Sequence, residues 1–329
     1  LSVALTLGRA RSAWLPAAGA AAFVSAACLA TLALPLAIYT LAVALFGLPH
    51  VLSELYYVDR RFSSRLAPRL LPRIGLPIVA VVAVQAAGML GLLAPAIAVA
   101  VELLAAAFLA LGVAGEMPRH RAAGAALGLL LAAGAAAAPF PLLLALALVH
   151  NLTPLGFFAE ALRGQDRRRA LALLAVPLIL LPLAIATGFP QAALAQFGLV
   201  MPEARLLASG PLALNLGVFV PPGLAAGGWA VPIFSAAVFA QLMHYAAVIV
   251  LLPRLPGAAP SRTLFPWPAR RRLAAAIAGA ASCLALVFVL DYQFARQLYG
   301  LFAQVHAWVE IPVLLLALGG LAAAQPDSA

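Results

Sequence analysis

Five stretches of this chain, 12–53, 74–101, 122–159, 170–202 and 206–253, contain no Asp, Glu, Lys or Arg. One membrane crossing needs roughly 20 apolar residues, so most of these stretches are long enough for more than one. A soluble domain would need far more charge than the 9% present here, against 65% hydrophobic residues and a mean hydropathy of +1.08. In hydrocarbon every backbone group must be satisfied internally, which leaves helices or a closed barrel. The Leu/Ala-rich runs lack the period-2 alternation of a barrel. The expected fold class is therefore all-α: a polytopic transmembrane helical bundle.

Prolines, glycines and arginines divide the chain into about ten candidate spans. They lie near 13–33, 35–58, 74–94, 96–115, 122–138, 140–162, 170–188, 230–252, 271–291 and 298–321. Residues 189–229 are apolar but broken by Pro190, Pro202, Pro211, Pro221, Pro222 and several glycines, and are expected to form a long extracytoplasmic or re-entrant connection. The arginines test the division. The turns near 34, 95 and 139 carry no basic residue, and eighteen arginines fall before the first helix or in the even-to-odd connections. Only Arg205 and Arg296 fall on the other side. By the positive-inside rule both termini are cytoplasmic, as expected for a multi-pass protein of a bacterial inner membrane. Residues 1–329 read as one integral membrane domain.

The net charge of +10 does not indicate nucleic acid. All twenty basic residues are Arg and they cluster between spans, as topology requires. Arg9 and Arg11 followed by an apolar run from Ala13 resemble a signal peptide, but the run flows into a second span and reads as a retained first helix. Ser25-Ala26-Ala27-Cys28 lacks the leucine usual at a lipoprotein cleavage site. Cys28 and Cys283 lie in separate spans without metal-ligand spacing and read as packing residues.

Five histidines remain. His120, in Met117-Pro118-Arg119-His120-Arg121, is a loop residue. His50, His150 and His244 precede Arg60, Arg163 and Arg254 by ten, thirteen and ten residues, and His306 follows Arg296 by ten. At about 1.5 Å per residue these offsets are roughly 15–20 Å, close to the midplane of a core about 30 Å thick. Glu54 and Glu310 stand four residues after His50 and His306, on the same helix faces. Intramembrane carboxylates are costly and mark function; here they would orient imidazoles for a metal. Imidazole suits iron, copper or zinc, or a haem, while the lack of a thiolate cluster argues against iron–sulfur.

Weaker candidates surround this layer. Gln241, Thr153 and Tyr57 share faces with His244, His150 and His50. Glu102 could shuttle protons or pair with a histidine. Asp59, Glu160 and Asp166 adjoin arginines and read as solvated ion pairs, and Asp291 and Glu203 sit near the outer boundary. There is no Gly-rich nucleotide loop, HExxH, desaturase histidine box or GxSxG.

Gly47-Leu48-Pro49-His50 with Glu54 four positions on resembles the signature of the bacterial and archaeal membrane β-carotene 15,15′-dioxygenases, the bacterioopsin-related-protein-like family. The resemblance implies a helical bundle whose intramembrane histidines hold a non-haem iron (Fe2+) and cleave β-carotene with O2 to retinal. It puts His50 at a ligand position and Glu54 at the acidic one. Val51 stands where the family has Gly, Glu54 where it has Asp, and Leu148-Val149-His150-Asn151 offers no paired histidine. These departures equally fit a relative with another lipophilic substrate.

The expected function is a membrane-embedded iron oxygenase acting on a lipid-dissolved small molecule. His50, His150, His244 and His306 would be the ligands, and Glu54 and Glu310 the orienting groups. The partners are that substrate, O2 and the bilayer, with no nucleic acid. A haem-binding electron-transfer protein and a proton-coupled transporter are the alternatives.

Overall fold

The computed structural model describes residues 2–66, 68–117, 119–255 and 263–319, and the side chains of these except 2–17 and Arg65. The described chain is all-α. We label its long helices α1 (Ser2–Ala33), α2 (Pro35–Phe62), α3 (Leu70–Met89), α4 (Pro95–Ala114), α5 (Arg121–Ala137), α6 (Pro139–His150), α7 (Thr153–Ala161), α8 (Gly164–Ala186), α9 (Ala230–Arg254), α10 (Arg270–Leu290) and α11 (Tyr292–Leu318).

By length and composition, seven of them can cross a membrane: α2, α3, α4, α8, α9, α10 and α11. The pair α6 and α7, bent by 45° at its break, makes an eighth if it is one span. The chain is thus a multi-pass membrane protein. Against the ten spans expected, seven or eight are long and apolar enough among the described residues, and Ala18–Ala33 and Arg121–Ala137 are shorter apolar helices.

The uncharged hairpin turns fall where expected. Pro35, Pro95 and Pro139 each open a helix at its first position, where a missing N–H costs nothing and the fixed φ suits the helix. α11 begins six residues before its expected start because Asp291 caps it, accepting from the Phe294 N–H at 3.0 Å. The helix expected over 140–162 is broken after His150. Pro154 has no N–H and its ring opposes the carbonyl four residues back, that of His150, so the chain turns at Asn151–Leu152 and restarts as α7.

α2 is the hub, packed against α9, α10 and α11, and α11 in turn leans on α3 and α4. Small residues permit the closest approaches: a Cβ on Gly128 of α5 would come within 2.5 Å of the Leu111 side chain of α4. Residues 189–229 hold two short helices, Phe189–Ala195 and Leu212–Leu216. They close over the ends of α1 and α9, with Gln191 Nε2 donating to the Leu32 carbonyl at 3.0 Å and to Ser235 Oγ at 3.2 Å.

Candidate metal centre

Each of the four spans that carry an inward histidine departs from regular helix beside it. Pro49 precedes His50 in α2, and the α6–α7 break follows His150. A wide π turn at Ala247–Leu251 follows His244 in α9, and Pro312 follows His306 and Glu310 in α11. Such interruptions leave backbone groups without their usual partners and gather at functional sites.

The structure brings His50, His150, His244 and His306 into one buried group. Each offers a ring nitrogen, and the four atoms lie within 4.8 Å of one another. The imidazoles close a ring, with centroids 4.7 Å apart for His50–His306, 4.9 Å for His306–His150, 4.7 Å for His150–His244 and 5.4 Å for His244–His50. His50, His244 and His306 are 1%, 0% and 2% exposed, whereas the His150 side chain keeps 19%. The side at the helix break is therefore the open one.

Hydrogen bonds on the outer edges of the rings decide what the inner edges present. His50 Nδ1 faces the Phe46 carbonyl at 3.3 Å, and a carbonyl can only accept, so Nδ1 carries the proton. His150 Nδ1 meets Glu310 Oε2 at 2.7 Å, and Thr153 Oγ1 donates to the other Glu310 oxygen at 2.9 Å. The Nε2 atoms of His50 and His150 are then bare lone pairs. His306 Nε2 lies 3.1 Å from both, and it has one hydrogen at most to share between them. At least one of these contacts sets lone pair against lone pair. A cation among the nitrogens removes that conflict.

Distances agree with such an occupant. With metal–nitrogen bonds of about 2.0–2.1 Å, neighbouring donors sit roughly 2.9–3.4 Å apart, and opposite ones about 4.2 Å. The 3.1 Å contacts fall inside the first range, and the widest pair needs to close by a few tenths of an ångström. A haem fits poorly, because its macrocycle would have to pass between rings already in edge-to-face contact. The buried four-histidine group could hold a metal ion; the choice among iron, copper and zinc is not written in the donors.

The carboxylates serve other histidines than their sequence neighbours. Helical side chains lean toward the preceding turn, so His50 reaches back to Phe46 rather than forward to Glu54. Glu310 orients His150 of α6 instead of His306, and Glu54 Oε2 stands 3.8 Å from His244 Nε2. Glu54 is fully buried and neither of its oxygens is hydrogen-bonded; the same holds for both nitrogens of His244. Glu54 and Glu310 also interact with each other. Two carboxyls and four imidazoles thus share one apolar volume, and among the described residues no Arg or Lys pairs with them.

Other sequence candidates are placed differently. Gln241 donates to the Tyr245 hydroxyl at 2.8 Å, not to His244. Tyr57 packs edge-on against Phe157. Glu102 pairs with no histidine: Gln85 Nε2 and Trp308 Nε1 each donate to it at 3.0 Å. Asp59 is no ion pair; it accepts from the Leu264 and Phe265 amides and from Trp267 Nε1 at 2.8, 3.0 and 2.7 Å, pinning that segment to the end of α2. Glu160 does pair with Arg61, but the pair is shielded, with side chains 7% and 11% exposed. Glu203 accepts from the Leu212 amide, and His120 is an exposed residue with a left-handed backbone, φ 60°, before α5. Cys28 and Cys283 are free and separate.

No protein-family model, curated protein or solved structure matches this chain.

The structure adds a residue that sequence spacing did not reveal. The Tyr245 ring stacks on His50 at 4.0 Å and 26°, and its hydroxyl shares a hydrogen bond with that of Tyr299 at 3.0 Å. Gly47 makes room for it, since a Cβ there would lie 2.9 Å from the Tyr299 ring. Tyr245 directly follows His244, and adjacent helical positions ordinarily face different ways. In this case they serve two sides of one site.

Proposed function

We propose that the chain is a membrane-embedded metal oxygenase, with iron held by His50, His150, His244 and His306, that acts on a lipid-dissolved substrate. One observation carries the metal: His306 Nε2 lies 3.1 Å from two other Nε2 atoms, which neutral imidazoles alone do not satisfy. When bound, a redox metal supplies the activation of O2.

The chain's own residues supply the rest. Glu310 fixes the tautomer and tilt of His150, with Thr153 holding its second oxygen, as partners beyond the ligands do in metal sites. The closed packing around His50, His244 and His306 excludes water from reactive intermediates. The opening beside His150 is where an apolar chain would approach, without loss of hydrophobic free energy on leaving the lipid. Oxidative cleavage of a carbon–carbon double bond, with one oxygen atom of O2 ending on each carbon, gives two carbonyl products; with β-carotene these are two molecules of retinal. The local likeness around Gly47–Glu54 favours that substrate class. This reading treats Ala18–Ala33 and Arg121–Ala137 as further crossings, making ten, with both termini cytoplasmic.

The test is elemental analysis of the purified protein, repeated for His50→Ala, His150→Ala, His244→Ala and His306→Ala. Near-stoichiometric metal in the native protein and its loss in the variants is the expected result. A native protein without metal sinks the oxygenase and leaves the His/Glu layer as a proton relay. Expression in a β-carotene-producing host then addresses the substrate, through bleaching and the appearance of retinal.

A further inference from the structure

Residues 189–229 are folded in the opposite sense to a loop that meets water. Their polar side chains are Gln191, Gln196, Glu203, Arg205, Ser209 and Asn215. Three of these turn inward: Gln191, Ser209 and Asn215 are 6%, 0% and 0% exposed. Gln191 is occupied by the Leu32 carbonyl and Ser235, and Asn215 Nδ2 donates to the Ser209 and Pro211 carbonyls at 3.2 and 3.0 Å. The large apolar side chains turn outward. Phe189 and Phe197, at the start and just past the end of the helix Phe189–Ala195, are 78% and 77% exposed, and Met201, Leu206, Leu214 and Trp229 are each more than half exposed.

Exposed apolar side chains in such number mark a surface that something covers. The chain itself shows what. On α8 the residues Leu173, Val176, Leu180 and Leu183, three or four apart, form an exposed stripe on a span, and from Leu183 to Phe189 the only polar residue is Thr187. The lipid-facing character of α8 therefore runs on into the segment. Its outward side chains are strung from 189 to 229 rather than gathered into one patch, which fits a continuous lipid boundary. The inner side is already docked, with Leu212, Leu216, Phe219 and Val220 buried in the core and Phe219 edge-on to Tyr39 at 5.9 Å.

The backbone sets the depth. Turns at Gly188, Gly198 and Gly210, with φ of 73°, 68° and 77°, interrupt regular structure throughout the segment. Hydrocarbon does not tolerate lipid-exposed irregular backbone, whereas the headgroup region supplies the missing hydrogen bonds. We propose that residues 189–229 form a cap seated in the boundary between headgroups and acyl chains, in the leaflet at this end of the bundle. Under the arginine partition that is the outer leaflet. Phe189, Phe197, Met201, Leu206 and Leu214 enter the acyl region, as the apolar face of an interfacial helix does. Trp229, at the start of α9, stands at a span end, where aromatic residues anchor membrane proteins. Exposed Arg205 is long enough to return its guanidinium to a lipid phosphate while its stem stays among apolar neighbours. The cap neither crosses the bilayer nor leaves it, and it does not depend on a metal at the histidines.

The experiment attaches single nitroxide labels to Phe197→Cys, Leu206→Cys and Leu214→Cys in a Cys28→Ala, Cys283→Ala background. The protein is reconstituted into vesicles of palmitoyl-oleoyl phosphatidylcholine and phosphatidylglycerol, and collisions with O2 and with a neutral nickel chelate are read by power saturation. Gln165→Cys at the charged start of α8 gives the water reference, and Val176→Cys in its middle gives the hydrocarbon reference. All three cap sites are expected between the two, roughly 5–10 Å below the phosphates. Collision ratios equal to that at Gln165→Cys make the segment a water-exposed loop and overturn the proposal. Ratios as high as at Val176→Cys make it a re-entrant hairpin and overturn it equally. Shielding from both reagents with broadening between labels assigns the face to a second copy of the chain, which also overturns it. Label-free protein gives an independent reading. Trp229→Phe should reduce the share of fluorescence that brominated phosphatidylcholine quenches, and an unchanged share counts against the cap.

Discussion

Two carboxyl groups, Glu54 and Glu102, are both 0% exposed inside the bundle, and their surroundings could hardly differ more. Glu102 is a closed account: Gln85 serves one oxygen and Trp308 the other, both at 3.0 Å. Glu54 has no hydrogen bond, with His244 at 3.8 Å and Glu310 alongside. Buried polar groups in folded proteins are almost always satisfied, and a network lacking its last partner is the expensive kind. A complete network is structural. One that is complete except at its centre leaves a place for an occupant, and ring nitrogens with carboxyls beside them could hold a cation there.

The largest expected effects break the incomplete network. Glu310→Ala removes the acceptor that orients His150 and should weaken metal binding by about 10–100-fold, seen as loss of metal during dialysis against a chelator. Glu54→Gln should weaken it less, because that carboxyl stands farther from its histidine. Glu102→Gln should leave metal content unchanged. If Glu102→Gln loses metal as readily as Glu310→Ala, the two regions are one system and the contrast between them is wrong. A native protein that binds metal should also unfold at lower temperature after chelation, by the linkage of binding to folding, whereas His306→Ala should show no response to the chelator.

Much of this was legible in the sequence, for reasons that also mark its limits. Charge-free runs report the solvent directly, so the helices and their uncharged turns could be placed. Depth follows from counting along a helix, so His50, His150, His244 and His306 could be assigned to one layer. Pairing between helices does not follow from counting. The i, i+4 spacing of His50 and Glu54 suggested a pair, yet the lean of helical side chains sends His50 to Phe46 and leaves Glu54 to His244 on another helix. Pro154 was the visible signal for the break after His150. Tyr245 gave no such signal, since its stacking on His50 depends on how α9 meets α2. Asp59 beside Arg60 read as an ion pair because sequence cannot show that residues 264–267 fold back over it.

The complete network can be opened on purpose. Trp308→Phe keeps an aromatic side chain but deletes the N–H given to Glu102, and should destabilise the protein by at least about 1–3 kcal/mol, the cost of a buried acceptor left without its donor, with the smaller ring adding to it. Gln85→Leu should act similarly from the other side. Thermal unfolding in detergent measures both. Combining both with Glu102→Leu should recover much of the loss, because an apolar triad has nothing left to satisfy. Failure of that rescue would mean that Glu102 has a role beyond its two hydrogen bonds.

A third carboxyl supplies the zero of the scale. Glu116 takes Arg69 Nη2 at 2.7 Å and Arg73 Nη1 at 3.4 Å, but outside the spans and in contact with water. The hydrogen bond from Arg69 holds its carboxyl below the usual range. A depressed value means that the pair favours the folded state above the ordinary carboxylate value, near pH 4.3, and that the benefit is lost as pH falls through the lowered one. Solvent screening makes that benefit small. Glu116→Gln should therefore leave the unfolding temperature unchanged at neutral pH, and native and variant curves should stay superimposed down to about pH 5. The same isosteric change at Glu54 alters metal retention and at Glu116 alters nothing measurable. A clear pH-dependent difference at Glu116 would show that exposed charge as well as buried satisfaction sets stability here, and would remove the reference against which the two buried carboxyls are compared.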